Sequence, residues 1–145
     1  MRSKQFVLDA NIWISYLISK KAGILAQAVA AEKISILYCP ELISEIKRVL
    51  EYNHLKVYGA NIKEAVNMIK IIGVEFDLKT PVPKYIPTDS DDDYVIALAL
   101  QTNSGFVTSG DSDILNEKEN LEKKYKKLRI ITKSEFENII KLDRS

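Results

Sequence analysis

Four groups of acidic side chains stand out by where they fall. Asp9 closes the short apolar run at residues 5–8, and Glu45 lies some seven residues past the apolar run at residues 34–38. Asp89, Asp91, Asp92 and Asp93 crowd into five positions ahead of a third apolar stretch, and Asp111 and Asp113 follow Phe106 and Val107. Carboxylates that converge repel one another: a pair about 4 Å apart costs roughly 4 kcal/mol at an effective dielectric of ~20. A pocket built from them needs a cation. Oxygen donors without His or Cys select hard Mg2+ or Mn2+. Mg2+ held this way keeps water ligands, which can supply a nucleophile for attack on a phosphodiester.

Each acid also has an ordinary reading. Asp9 can cap the helix that follows it. Glu45 can be an acid near the start of a helix. Asp111 and Asp113 can be turn residues after Gly110. Together these readings weaken, because one helix needs one cap and four acids in five residues are unfavourable without a cation.

Other chemistries are poorly supplied. Cys39 and His54 are the only residues of their kinds, so neither an internal disulfide nor a tetrahedral N/S zinc site can form. A lone cysteine in a strand-like segment reads as a small buried thiol, in keeping with a reducing, cytoplasmic setting. His54 is too isolated in sequence to be offered as a general base. The longest apolar run, residues 94–100, is far too short to span a bilayer. Arg2 and Lys4 precede an apolar stretch, but Asp9 and Asn11 interrupt it, so a signal peptide is not expected. The 21 basic and 20 acidic residues leave a net charge of +1, which gives no global attraction to nucleic acid. The basic residues are unevenly placed: Lys118, Lys123, Lys124, Lys126, Lys127 and Arg129 cluster late in the chain.

The elements that must position these groups alternate. Strands are expected at residues 5–8, 34–38, 74–78, 106–107 and 128–132. Helices are expected at 11–19, 24–32, 41–52, 62–72 and from Asp93 through the apolar YVIALAL, with a last one from Ser134 whose cap pairs with Glu137. Residues 80–87 hold three of the four prolines and form an irregular connector. With 145 residues, the chain is expected to be one domain, residues 1–145, in a three-layer α/β/α arrangement around a mostly parallel sheet of about five strands. In such sheets ligands bind beyond the carboxyl ends of the strands, where Asp9 and Asp111 would meet if their strands are neighbours.

Four segments then carry a family resemblance: VLDANIWIS at 7–15, PELISEIKRVL at 40–50, DSDDDYVIALAL at 89–100 and VTSGDSDIL at 107–115. In this order and spacing they resemble the PIN-domain ribonucleases over nearly the whole chain, most of all the toxin (VapC-like) components of bacterial toxin–antitoxin pairs. The resemblance implies a Mg2+- or Mn2+-dependent endoribonuclease with Asp9, Glu45, Asp93 and Asp111 as catalytic acids. Asp9, Asp93 and Asp111 would bind metal, and Glu45 would complete the site or orient the attacking water. Asp93 is preferred to Asp92 because the family acid stands four residues before an alanine, here Ala97. Asn11 and Ser109 would hold the carboxylates by neutral hydrogen bonds, and Asp113 is an alternative to Asp111. RNA would be positioned by phosphate contacts from Lys123, Lys124, Lys126 and Lys127, with Tyr52, Tyr58 and Tyr85 available for base stacking. The resemblance further implies a small cognate antitoxin protein and a homodimer, for which the apolar face of Ile62, Val66, Ile69 and Ile72 is the candidate surface.

Two rival readings remain. A haloacid-dehalogenase-like phosphatase also opens with a strand-end aspartate and closes with a Gly-Asp acid pair, but Asn11 stands where its second acid belongs. A catalytically silent PIN domain acting as an RNA or protein scaffold would have lost an acid, and none is lost.

Overall fold

Three consecutive residues of the first strand, Phe6, Val7 and Leu8, are all buried. Side chains alternate between the faces of a strand, so both faces must be covered, and the sheet lies between two helical layers. A computed structural model describes residues 4–31, 33–52 and 61–144; His54 and Tyr58 lie outside the described residues.

The strands are β1 (Lys4–Leu8), β2 (Ile34–Tyr38), β3 (Val74–Glu75), β4 (Phe106–Thr108) and β5 (Arg129–Ile131), in the order β3-β2-β1-β4-β5, every pairing parallel. The helices are α1 (Ala10–Ile18), α2 (Ala22–Ala30), α3 (Pro40–Leu50), α4 (Ile62–Ile72), α5 (Asp93–Gln101), α6 (Ser112–Asn116), α7 (Lys118–Lys124) and α8 (Lys133–Arg144), with a 3-10 turn at Ser90–Asp92. The expected parallel three-layer fold is therefore the observed one. Right-handed crossovers from β1 to β2 to β3 put α1–α4 on one face, where α1 packs on α3 and α4 packs on α2 and α3. The return from β3 to β4 puts α5 on the other face. There Val95, Ile96, Ala97, Leu98 and Ala99 are all fully buried, which explains why this helix is apolar all round.

Local chemistry sets the boundaries. Gly73 ends α4 against Tyr38, whose ring carbon would stand 2.6 Å from any Cβ placed there, so a side chain at this position would have to displace the Tyr38 ring. Asn103 takes a left-handed turn (φ 56°) between α5 and β4, a conformation asparagine tolerates better than most residues.

Three expectations change. The third strand keeps only Val74–Glu75 of residues 74–78. The cap of the last helix sits two residues earlier than Ser134. The Thr132 hydroxyl accepts from the Glu135 N–H (3.2 Å), and the Glu135 carboxylate accepts from the Thr132 N–H (3.0 Å). The apolar face of α4 offered for a second copy is largely core: Val66, Ile69 and Ile72 are buried, and Ile62 packs against them. That face is taken up by the chain's own packing.

Candidate active site

The sheet reverses its direction of growth between β1 and β4, the topological switch point where open α/β sheets leave a crevice. Leu8 pairs with Thr108 across this seam, and the Asp9 N–H donates to the Thr108 carbonyl (2.9 Å), so Asp9 and Ser109 emerge side by side. Both are buried. Asp9 Oδ1 accepts from the Ala10 N–H (2.6 Å), capping α1, and Oδ2 accepts from the Ser109 hydroxyl (2.7 Å). Ser109 Oγ in turn accepts from the Asp111 N–H (3.0 Å). Asp111 then caps α6, its Oδ1 accepting from Asp113 N–H (2.8 Å) and Ile114 N–H (3.4 Å). The cap and the site are thus the same residues: each short helix is anchored by a carboxylate that also points charge at the crevice.

The acids from the long connector complete the group. Asp89 caps the 3-10 turn through Asp91 N–H (3.0 Å). Asp92 is only 5% exposed, and its Oδ2 has no hydrogen-bond partner among the described residues. Burial pushes its pKa up from 3.8 to about 8, with Asp111, Asp9, Asp89 and Glu45 adding like-charge repulsion in that order. Asp9 is raised to about 6, again by burial first, with the Ser109 hydrogen bond opposing and Glu45 and Asp111 adding to the rise. Asp92 is therefore within electrostatic reach of Asp111, Asp9, Asp89 and Glu45, and Asp9 is within reach of Glu45 and Asp111.

Asp93 is not among them. Its Oδ1 accepts from the Tyr85 N–H (2.9 Å) and the Ile86 N–H (2.7 Å), tying the proline-rich connector to the start of α5. The sequence preferred Asp93, and the structure sets Asp92 within electrostatic reach of Asp9 and Asp111. Counting four residues back from Ala97 does not show where the preceding turn swings the chain. Asn11 is exposed on α1, and it is the Ser109 hydroxyl that holds the Asp9 carboxylate. Asp113 Oδ1 accepts from the Thr88 hydroxyl (3.0 Å).

Glu45 projects from α3 and accepts a hydrogen bond from the Tyr94 hydroxyl. Burial first, and then that bond, raise the pKa of Tyr94, so it remains a donor to Glu45. Glu45 and Tyr94 border an open groove of about 360 Å³ together with Glu41, Ser44, Arg48 and Asp91. Tyr94 and Arg48 were missed in the sequence. Arg48 had a visible signal, standing three residues after Glu45 and so on the same helix face. Tyr94 had none, because its partner lies 49 residues away.

Lys123, Lys124, Lys126 and Lys127 lie at the other end. They lead into the start of β5, and Lys126 and Lys127 border a hollow with Asn103 and Ser104, just before β4 begins. The acids stand where β1 and β4 finish. The expected lysine run is thus not beside the acids; Arg48 borders the groove with Glu45, and Lys133 lies just past the end of β5. Lys133 donates to Ser15 Oγ (2.8 Å) and lies over the Tyr16 ring. Of the expected stacking residues, Tyr85 is half-buried against Tyr125 and Tyr52 is exposed at the end of α3. Cys39 is fully buried and its thiol is pushed up to about 12, chiefly by burial, so it is no nucleophile.

The donor set fits a hard divalent cation. All the groups are carboxylates or hydroxyls, and among the described residues no lysine or arginine pairs with them. A hollow of similar volume between α1, α2 and α4, about 350 Å³ and lined by Leu17, Ile18, Ala65 and Met68, has no such cluster.

Residues 5–113 match the model of a family described as PIN domain. A search of curated proteins finds no match. Among solved structures, the crystal structure of VapBC2 from Rickettsia felis bound to a DNA fragment from their promoter is similar. It has a TM-score of 0.56 at 12% identity, and the alignment covers 88% of this chain and 98% of that one. At that identity the likeness is one of fold.

Proposed function

We propose, from the premise that the chain belongs to the PIN domain family, that it is a Mg2+- or Mn2+-dependent endoribonuclease and the toxin of a toxin–antitoxin pair. The observation that carries this reading is the Asp92 carboxylate, buried without a partner among the described residues and within electrostatic reach of Asp111, Asp9, Asp89 and Glu45. An orphaned buried carboxylate is costly unless a cation meets it.

In this reading Asp9, Asp92 and Asp111 hold the cation. When bound, it supplies Lewis-acid chemistry and an activated water at a phosphodiester. Ser109 fixes the Asp9 carboxylate through its hydroxyl and the Asp111 backbone through its Oγ. Glu45, steadied by Tyr94, borders the groove through which a strand would enter, and Arg48 there offers a charge to a phosphate. The fold shared with VapBC2 supports an antitoxin partner, and a cytoplasmic setting belongs to the same proposal. No helix of the described residues is long and apolar enough to cross a membrane. A homodimer would use exposed residues such as Ile71, near the end of α4, and Val74 in the edge strand β3.

The deciding experiment is cleavage of labelled RNA with and without Mn2+. Wild type should cut only with metal, and Asp111→Asn should lose cutting by at least about 100-fold, more than the usual cost of disturbing a metal ligand's partner. RNA binding by that variant should persist, since a negative charge near phosphate is removed. Phosphate release from p-nitrophenyl phosphate with RNA left intact would defeat the proposal in favour of a phosphatase.

Substrate positioning gives a separate result. Arg48→Ala should weaken RNA binding and lower the log–log salt slope by about 0.7, the value for one lost phosphate contact on a single strand. The double variant Lys126→Ala/Lys127→Ala should leave slope and cleavage unchanged. The opposite pattern would place the RNA across the amino ends of β4 and β5.

A further inference from the structure

The two sides of α3 differ in kind. Leu42, Ile43, Ile46 and Leu50 are buried, whereas Glu41, Ser44, Glu45 and Arg48, spaced three and four residues apart, form a polar stripe along one face. The helix opens with Pro40 and Glu41 just past β2, which runs parallel to β1, so the stripe begins at the same edge of the sheet as Asp9. It lines the open groove of about 360 Å³ that Asp91 and Tyr94 also border. In that groove Glu45 accepts from the Tyr94 hydroxyl, and Arg48 is given to a phosphate. Glu41 and Ser44, one turn apart and both exposed, have no part in the proposed chemistry.

Their hydrogen bonding has a direction. An ionised Glu41 carboxylate offers acceptors only, and the Ser44 hydroxyl can donate beside it. The buried Cys39 thiol, its pKa raised first by burial, also feels the Glu41 carboxylate. A thiol is a weak donor and a carboxylate accepts at about four positions, so acceptors remain for a ligand in the groove. This wall therefore presents two acceptors and then a donor. Among the RNA bases only guanine answers in that order along its Watson–Crick edge, with N2–H and N1–H donating and O6 accepting. Adenine sets one donor beside one acceptor, cytosine one donor beside two acceptors, and uracil one donor between two acceptors.

We infer that the groove along α3 is a base pocket for guanine, in which Glu41 accepts from N1–H and N2–H and Ser44 donates to O6. Glu45 lies on the same stripe, so the guanosine flanks the bond that is cut. The inference rests on the reading of the chain as a ribonuclease and names where in the RNA it acts.

The test uses short oligoribonucleotides that differ at one position, carrying guanosine, inosine, adenosine, cytidine or uridine. Binding is measured in chelator and cleavage in Mn2+. Wild type should bind and cut the guanosine oligomer at least about tenfold better than the others, with the cut at one fixed distance from the guanosine. Inosine lacks only the N2 amino group, and forfeits with it a hydrogen bond to a charged acceptor. Glu41→Ala should bring guanosine and inosine level, a ratio that a merely structural role for Glu41 would not move. Glu41→Gln, which sets a donor beside an acceptor, should shift preference from guanosine toward adenosine. Circular dichroism checks that both variants fold. Equal binding of all the oligomers, or binding of none, would overturn the pocket, as would a guanosine preference that Glu41→Ala leaves intact. Cutting in Mn2+ without base preference would overturn it and leave the nuclease reading standing. Guanosine-selective binding that depends on Glu41, with no cutting in Mn2+, would keep the pocket and overturn the nuclease.

Discussion

Asp92→Asn should make the metal-free protein more stable and at the same time unable to bind Mn2+. The Asp92 pKa is raised from 3.8 to about 8 in the folded protein, so the fold holds the proton more tightly than the unfolded chain does. The stability this confers is fully present below pH 3.8 and is lost as pH rises through about 8. Asparagine has no charge to bury and escapes that loss. Each pKa unit corresponds to about 1.4 kcal/mol, and sharing among the coupled acids leaves roughly 2 kcal/mol as the expected gain at pH 8. For a chain of this size that raises Tm by about 6 °C. The gain should shrink toward zero near pH 4. Adding Mn2+ reverses the order: free metal at a hundred times its Kd stabilises the wild type by about 2.7 kcal/mol and the variant by almost nothing. RNA cleavage should fall by at least about 100-fold. Thermal melts in chelator and in Mn2+, at pH 4.5 and pH 8, decide the matter. A variant no more stable than wild type at pH 8, or one with undiminished Mn2+ affinity, would remove Asp92 from the site.

Asp93→Ala should do the reverse, costing stability and sparing metal. The Asp93 carboxylate accepts from two backbone N–H groups, those of Tyr85 and Ile86, and Ile86 is fully buried. Alanine would leave both amides without a partner, at about 1–3 kcal/mol each where burial is complete. It also removes an acid from the first turn of α5, a further few tenths of a kcal/mol. A total near 3 kcal/mol lowers Tm by about 9 °C. Asp93→Asn keeps an oxygen at the accepting position and should recover most of the loss. Mn2+ affinity of Asp93→Ala, measured well below its melting point, should stay within about twofold of wild type. If affinity collapsed while Tm barely moved, Asp93 would be the ligand and Asp92 the bystander.

The contrast between these neighbours separates what the chain shows from what folding adds. Alternation of short apolar runs with helical periodicity is local, so the parallel three-layer architecture was legible from residue order alone. So was the convergence of Asp9 and Asp111, because strand ends in such sheets share one edge. Even the ordinary reading of these residues as caps held, since capping uses one or two oxygens and leaves the charge at the crevice. Three things were not legible. The choice between Asp92 and Asp93 depends on one turn of 3-10 geometry and on which amides the proline-rich connector brings near. The lysine run is a feature of composition, and only strand direction shows that it approaches β5 from the edge opposite the acids. The support of Glu45 by Tyr94, and the meeting of Asp89 with Asp113, join residues far apart in the chain. Residue types and periodicity determine which groups occupy the active edge. The direction in which each side chain leaves its backbone, and hence which carboxylate is buried without a partner, is decided by packing among elements that no local pattern encodes.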